Sequence, residues 1–136
     1  MNSISTYLNF DGEAREAMKF YADCLGADLD IKSFKDVGMG DDPSVADRTV
    51  HARLSKGPVL IMASDNQPGA PFSKGNNFFL SIDCESREEL HRLHDALGAG
   101  GTVLMEPQDT FWNAHFSMVT DRFGVGWMFN YQLSPA

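Results

Sequence analysis

Four histidines and a set of carboxylates are the residues of this sequence best suited to moving protons or holding a metal. His51 and His115 stand in strand-like runs, "TVHARL" and "HFSMVT". Projecting from one face, they would form a metal pair or an acid and base, with Asp65 or Asp109 as the carboxylate partner. The plainer reading is that each is an isolated strand histidine satisfied by hydrogen bonds. His91 and His94, three apart in "REELHRLHDALG", read as a solvated helix face. Arg53, two residues after His51, carries a planar fork that can hold a carboxylate or phosphonate, or pair with one of the chain's 19 acidic residues. Cys24 and Cys84 have neither metal-type spacing nor a neighbour in sequence that would lower a thiol pKa, so free thiols in a reducing compartment are expected.

Composition narrows the field around these residues. The chain has 136 residues and a net charge of −8, which repels phosphate backbones and anionic lipid surfaces. Nucleic-acid and membrane partners are therefore not expected. Apolar residues make up 43% and charged ones 22%, an ordinary globular balance. The first residues, "MNSISTYLNF", lack a basic segment followed by an apolar one, and the apolar runs are too short to span a bilayer, so a cytoplasmic location is expected.

A repeat positions these residues. Shifting the chain by 72 residues aligns "YLNFDGEAREAMKFYADCLGA" with "FLSIDCESREELHRLHDALGA" without a gap, pairing Leu8 with Leu80, Asp11 with Asp83, Arg15 with Arg87 and Glu16 with Glu88. Each copy opens on an alternating strand (4–10 and 78–82). A helix follows whose apolar residues recur at helical spacing, Ala14, Ala17, Met18 and Tyr21 in one and Leu90, Leu93 and Leu97 in the other, ending at Gly26 and Gly98. Three strand-like runs come next in each half: 27–34, 49–54 and 59–64, then 102–106, 115–120 and 125–131. The expected organisation is a first βαβββ module over 1–66, a linker over 67–76 and a second module over 77–136. The fold class is α+β, with the two modules forming a curved mixed sheet with a cleft.

Strand alternation assigns faces. Leu8, Phe10, Leu80 and Ile82 should lie under the helices, leaving Ser5, Tyr7, Asn9, Asn77, Phe79 and Ser81 on the opposite, cleft-lining face. If "SKGP" pairs Leu54 with Val59, Met62 lies opposite His51; if "DRFG" pairs Thr120 with Val125, Met128 lies opposite Ser117. A one-residue slip would reverse either face. In "QDTFWNAHFSMVTDRFGVGWMF", Trp127 and Phe129 then belong under a helix, whereas Phe111 and Trp112 sit in a loop as a candidate gate or as a packing contact.

Two tandem βαβββ modules with "FY…LG" and "LH…LG" helix ends resemble the vicinal oxygen chelate superfamily, which includes glyoxalase I, the bleomycin resistance proteins and the extradiol dioxygenases. Within it, "YLNFDGEAREAMKFY", "GNNFFLSID" and "DTFWNAHFSMVTDRFGVGWMFN" look like the PhnB-like branch, which is also labelled as related to a demethylubiquinone methyltransferase. The resemblance implies the glyoxalase/bleomycin resistance fold. It also implies that metal ligands of metal-dependent members would fall at Ser5, Met62, Asn77 and Met128, none of which is His, Asp or Glu. No metal is expected there. No cofactor is expected either, because no glycine-rich nucleotide loop opens a helix.

The expected function is that of a glyoxalase/bleomycin-resistance-like protein binding a small organic molecule in a cleft, as a homodimer, with Ser5, Tyr7, Asn9, His51, Met62, Asn77, Phe79, Phe111, Trp112, His115 and Met128 as candidate cleft residues. The competing reading is an enzyme of lyase, isomerase or dioxygenase type, using a relocated metal or metal-free acid–base chemistry. The cleft belongs either to one chain or to two, since superfamily members do both.

Overall fold

The chain is described for residues 1–134 by a computed structural model. It divides into two compact units, Met1–Ser73 and Lys74–Ala136; positions 135 and 136 lie outside the described residues.

The first unit runs β1 (Thr6–Phe10), α1 (Ala14–Leu25), β2 (Asp28–Ser33), β3 (Thr49–Lys56) and β4 (Val59–Asp65), with a single 3₁₀ turn at Lys35–Val37. The second repeats the order with β5 (Leu80–Asp83), α2 (Arg87–Gly98), β6 (Thr102–Asp109), β7 (Ala114–Thr120) and β8 (Gly126–Gln132). Each sheet is mixed. The orders are β1-β4-β3-β2 and β5-β8-β7-β6, with the first and last strands of a unit parallel and the hairpins antiparallel. This is the expected pair of βαβββ modules. The opening strand of the second module is shorter than the alternation predicts, since Phe78 and Phe79 precede β5.

One helix covers one face of each sheet. α1 buries Ala14, Ala17, Met18 and Tyr21 against Leu8, Phe10, Ala52, Leu54 and Ala63. α2 buries Leu90, Leu93, His94 and Leu97 against Val119, Trp127 and Phe129. Burying one leucine-sized side chain contributes about 2 kcal/mol, so these rows decide which way every strand faces.

Two buried aspartates hold the corners. Glu13 makes no side-chain cap for α1; Asp65, at the end of β4, supplies one from across the sheet. Its Oδ1 accepts from Gly12 N (2.9 Å) and Ala14 N (3.0 Å), and its Oδ2 from Thr49 N (2.9 Å). A carboxylate at a helix N-terminus also meets the positive end of the helix dipole. In the second unit, Asp121 Oδ1 accepts from Phe123 N and Val125 N while Oδ2 accepts from Trp127 Nε1 (2.8 Å). "DRFG" is thereby fixed to the tryptophan beneath it.

Both hairpin registers differ from the sequence expectation. In the first, Lys56 pairs with Val59 across a two-residue Gly57–Pro58 link, Gly57 taking a positive φ of 52°, so Met62 faces Arg53 rather than His51. That shift is by two and preserves the faces. In the second, Thr120 pairs with Gly126, which places Met128 opposite Met118 and Ser117 opposite Phe129. That shift is by one and turns β7 over: Asp121 opens the turn, and its backbone N–H donates to Val125 O.

Asp65→Ala leaves three backbone N–H groups of a buried corner without an acceptor. It is expected to lower unfolding stability by about 3 kcal/mol, checked by urea denaturation; an unchanged midpoint would show that α1 needs no such cap.

Candidate functional site

The faces not covered by helices carry most of the candidates. On the first sheet, Tyr7 and Asn9 (β1), His51 and Arg53 (β3) and Met62 and Ser64 (β4) alternate with buried residues and share the open face. The ladders set Tyr7, Met62 and Arg53 in one row, with Asn9 level with Ser64. Tyr7 Oη lies 3.5 Å from His51 Nδ1, with ring centroids 6.0 Å apart. Ser5 and Asn77 are exposed and lie before their strands.

On the second sheet the open face carries phenylalanine and methionine beside Thr120 and Asn130. Phe116 and Met118 alternate with buried His115, Ser117 and Val119, and Met128 alternates with buried Trp127 and Phe129. Phe79 lies over the start of β8. A Cβ on Gly126 would come within 2.6 Å of its ring, so the absence of a side chain there lets the ring sit down on the strand. Phe78, Phe79, Leu104, Thr120 and Gly126 line a recess at this level.

"DTFW" is the β6–β7 link. Phe111 is 97% exposed and Trp112 is 46% exposed, the two rings meeting edge to face at 5.0 Å. Trp112 also meets Phe116 edge to face at 5.5 Å, which ties the loop to the open face. Asn113 takes a positive φ of 64° at the tip, its carbonyl accepts from Leu133 N (3.0 Å), and its amide bonds to Ser134. The aromatic pair therefore projects from a braced loop.

His115 departs from the cleft expectation. With β7 turned over, it lies under α2 at 6% exposure, while His51 lies on the open face of its own sheet. His115 Nδ1 is 2.8 Å from Asp109 Oδ1, and its Nε2 is 2.9 Å from His91 Nε2. Arg87 Nη1 lies 3.2 Å from the same Nδ1; in the neutral tautomer whose Nδ1–H donates to Asp109, Nε2 accepts from His91 Nε2–H. The result is a hydrogen-bonded chain from a surface histidine through His115 to a carboxylate. Hydrogen bonds from His115 and then Arg87 hold Asp109 below the usual carboxylate range.

His94 also departs from its expected solvated role. It is 5% exposed, with Nδ1 2.9 Å from Ser117 Oγ. Loss of hydration, helped by nearby His91, lowers its pKa against the opposing pull of Asp95 and Glu106. Cys84 is pushed up to about 11, chiefly by burial and then by Glu89, which removes it as a nucleophile. Asp65 is committed to the α1 corner, and among the described residues no three His, Cys, Asp or Glu side chains converge as a metal site. Phe116 and Met118 of the open face went unnoticed in the sequence because the one-residue slip hid them; alternation from Val119 would have found them.

A family model described as 3-demethylubiquinone-9 3-methyltransferase matches residues 2–130. The chain belongs to this family. Its fold is that of the glyoxalase/bleomycin resistance proteins. Protein YjdN of Escherichia coli is 34% identical over 93% of each chain. The crystal structure of protein PA1353 from Pseudomonas aeruginosa is 40% identical, covers 97% of this chain and 98% of that one, and superposes with a TM-score of 0.84. A glyoxalase/bleomycin resistance protein/dioxygenase family enzyme from Burkholderia phytofirmans, 18% identical over 93% and 96% of the two chains, shares the fold at a TM-score of 0.63. The PhnB-like family's description names a methyltransferase, but both sheets of this chain are taken up by the two βαβββ units.

The superfamily's usual metal does not suit the residues present. Leu8 pairs with Ala63 and Leu80 with Trp127, so the repeat makes Met128 the counterpart of Ser64, and Gly126 that of Met62. Either assignment gives the same chemistry. The open face of β4 offers Leu60, Met62 and Ser64, and that of β8 offers Gly126, Met128 and Asn130. Thioethers, amides and hydroxyls are poor donors for Zn²⁺, Ni²⁺, Mn²⁺ or Fe²⁺.

Because the folded-state pKa of His94 is depressed, its contribution to stability is complete above the unfolded value near 6.5 and declines as pH falls below it. Denaturation at pH 7.5 and 5.5 is expected to show a smaller loss in His94→Gln than in the parent; equal losses would remove His94 as a source of acid sensitivity.

Proposed function

We propose that this PhnB-like protein binds a small organic molecule on the open faces of its sheets, without the metal site of its metal-dependent relatives. The observation that carries the reading is the composition of those faces. One presents hydroxyl, imidazole, amide and guanidinium groups, the other phenylalanine and methionine beside a projecting Phe111–Trp112 pair. Such a mixture suits a partly aromatic ligand with a few polar groups. Trp112 is the reporter: indole fluorescence and its Nε1–H signal are expected to respond to a ligand on the second face, while Trp127, locked to Asp121, stays unchanged. A library screen that moves Trp127 and spares Trp112 would count against the reading.

Metal content separates this proposal from the metal-enzyme alternative. Plasma mass spectrometry of protein purified without tags or chelators is expected to find transition metals far below stoichiometry; one equivalent of Zn, Ni, Mn or Fe would overturn the metal-free reading. A homodimer is part of the proposal, since Phe78, Leu104, Phe111 and Trp112 leave apolar surface for a second copy to cover. Light scattering during size exclusion reads it directly.

A second reading, acid–base chemistry without metal, is favoured by the Asp109–His115–His91 chain. Incubating a bound ligand with the protein and weighing it by mass spectrometry distinguishes the two: an unaltered ligand supports binding alone, and conversion lost in His91→Ala supports catalysis.

A further inference from the structure

We infer that the ligand of the first open face carries an oxyanion, a carboxylate or a phosphate-type group, and that Arg53 is the residue that holds it. This rests on the small-molecule reading above and names the chemical class that the site takes.

Arg53 lies mid-strand in β3, between Ala52 and Leu54, both fully buried under α1, so its side chain leaves from the opposite face. In a chain with 19 acidic residues against 11 basic ones, a guanidinium ordinarily finds a carboxylate. Most of the others do find a partner. Arg48 pairs with Asp11 at 2.9 Å, Arg87 with Asp109 at 3.1 Å, and Lys35 with Asp47 at 3.7 Å. Among the described residues the Arg53 side chain makes no ion pair or hydrogen bond. Asp30 is its neighbour across the β2–β3 ladder, yet that carboxylate is engaged by Lys32 at 3.4 Å.

The surroundings complete an anion seat. Met62 and then Tyr7 follow Arg53 across the sheet, giving an apolar floor, and the Tyr7 hydroxyl beside His51 is a second polar group on the same face. The guanidinium fork matches a carboxylate or phosphate through two parallel N–H···O bonds. It also supplies local attraction on a chain whose net charge of −8 would otherwise repel an anion.

The repeat equates this level of the sheet with a recess of the second unit. The registers equate the row Tyr7–Met62–Arg53 with Phe79–Gly126–Thr120, because Tyr7 precedes Leu8 as Phe79 precedes Leu80, Met62 precedes Ala63 as Gly126 precedes Trp127, and Gly126 pairs with Thr120. That second row lines the recess described above. Duplication has thus left the same level hollow and apolar in one unit and cationic in the other. The acidic balance of the chain alone would suggest a cationic ligand; the geometry around Arg53 points the other way.

The test uses ¹⁵N-labelled full-length protein titrated with benzoate, phenyl phosphate and, as a neutral isostere, benzamide. Benzoate or phenyl phosphate is expected to shift the Arg53 Nε–H signal and the backbone signals of Tyr7 and Met62, with benzamide leaving Arg53 unmoved. Whichever anion binds tighter assigns the group. Arg53→Gln is expected to weaken anion binding roughly tenfold or more, and Arg53→Lys, which keeps the charge but not the fork, by less. Equal binding of benzamide and benzoate, or full anion affinity in Arg53→Gln, overturns the oxyanion assignment while leaving the small-molecule reading in place. Failure of every probe to move either open face counts against both.

Discussion

Each sheet of this chain has two faces and one helix. α1 and α2 supply a single apolar stripe apiece, and because side chains alternate along a strand, covering one face commits every second residue to the other. The open faces are therefore a consequence of the core: Ala52 and Leu54 under α1 put His51 and Arg53 outside, and Val119, Trp127 and Phe129 under α2 put Met118 and Met128 outside. The chemistry available to a ligand was selected within that constraint.

Buried carboxylates make the arrangement unique rather than merely compact. Asp65 ties the end of β4 to the start of both α1 and β3, and Asp121 ties a turn to the indole of Trp127. Each replaces hydration with several N–H donors, the condition under which burying a carboxylate is tolerated. Asp121 also sets the β7–β8 register, and through it the placement of His115 and Ser117 beneath α2. One turn residue thereby decides that a histidine belongs to a hydrogen-bonded chain beneath α2 instead of an open surface.

Divergence between the two units is where function is written. The same position holds Arg53 in the first unit and Thr120 in the second, Met62 in one and Gly126 in the other, Tyr7 in one and Phe79 in the other. None of these changes touches a helix-covered residue, so the fold tolerated them.

The sequence by itself determined the repeat, the βαβββ order, the buried rows and the polarity of the first open face, since all of these follow from spacing within one strand or helix. Tyr7, Asn9 and Met62 were placed correctly because a slip of two residues leaves faces unchanged. His115 and His94 were not, because their surroundings depend on which residues of β7 meet α2, and that depends on a loop closed by hydrogen bonds that no periodicity reports. Arg53 shows the same division from the other side. Its place in a strand was legible, but its freedom from any carboxylate is a matter of distances across the sheet, which only the folded chain decides.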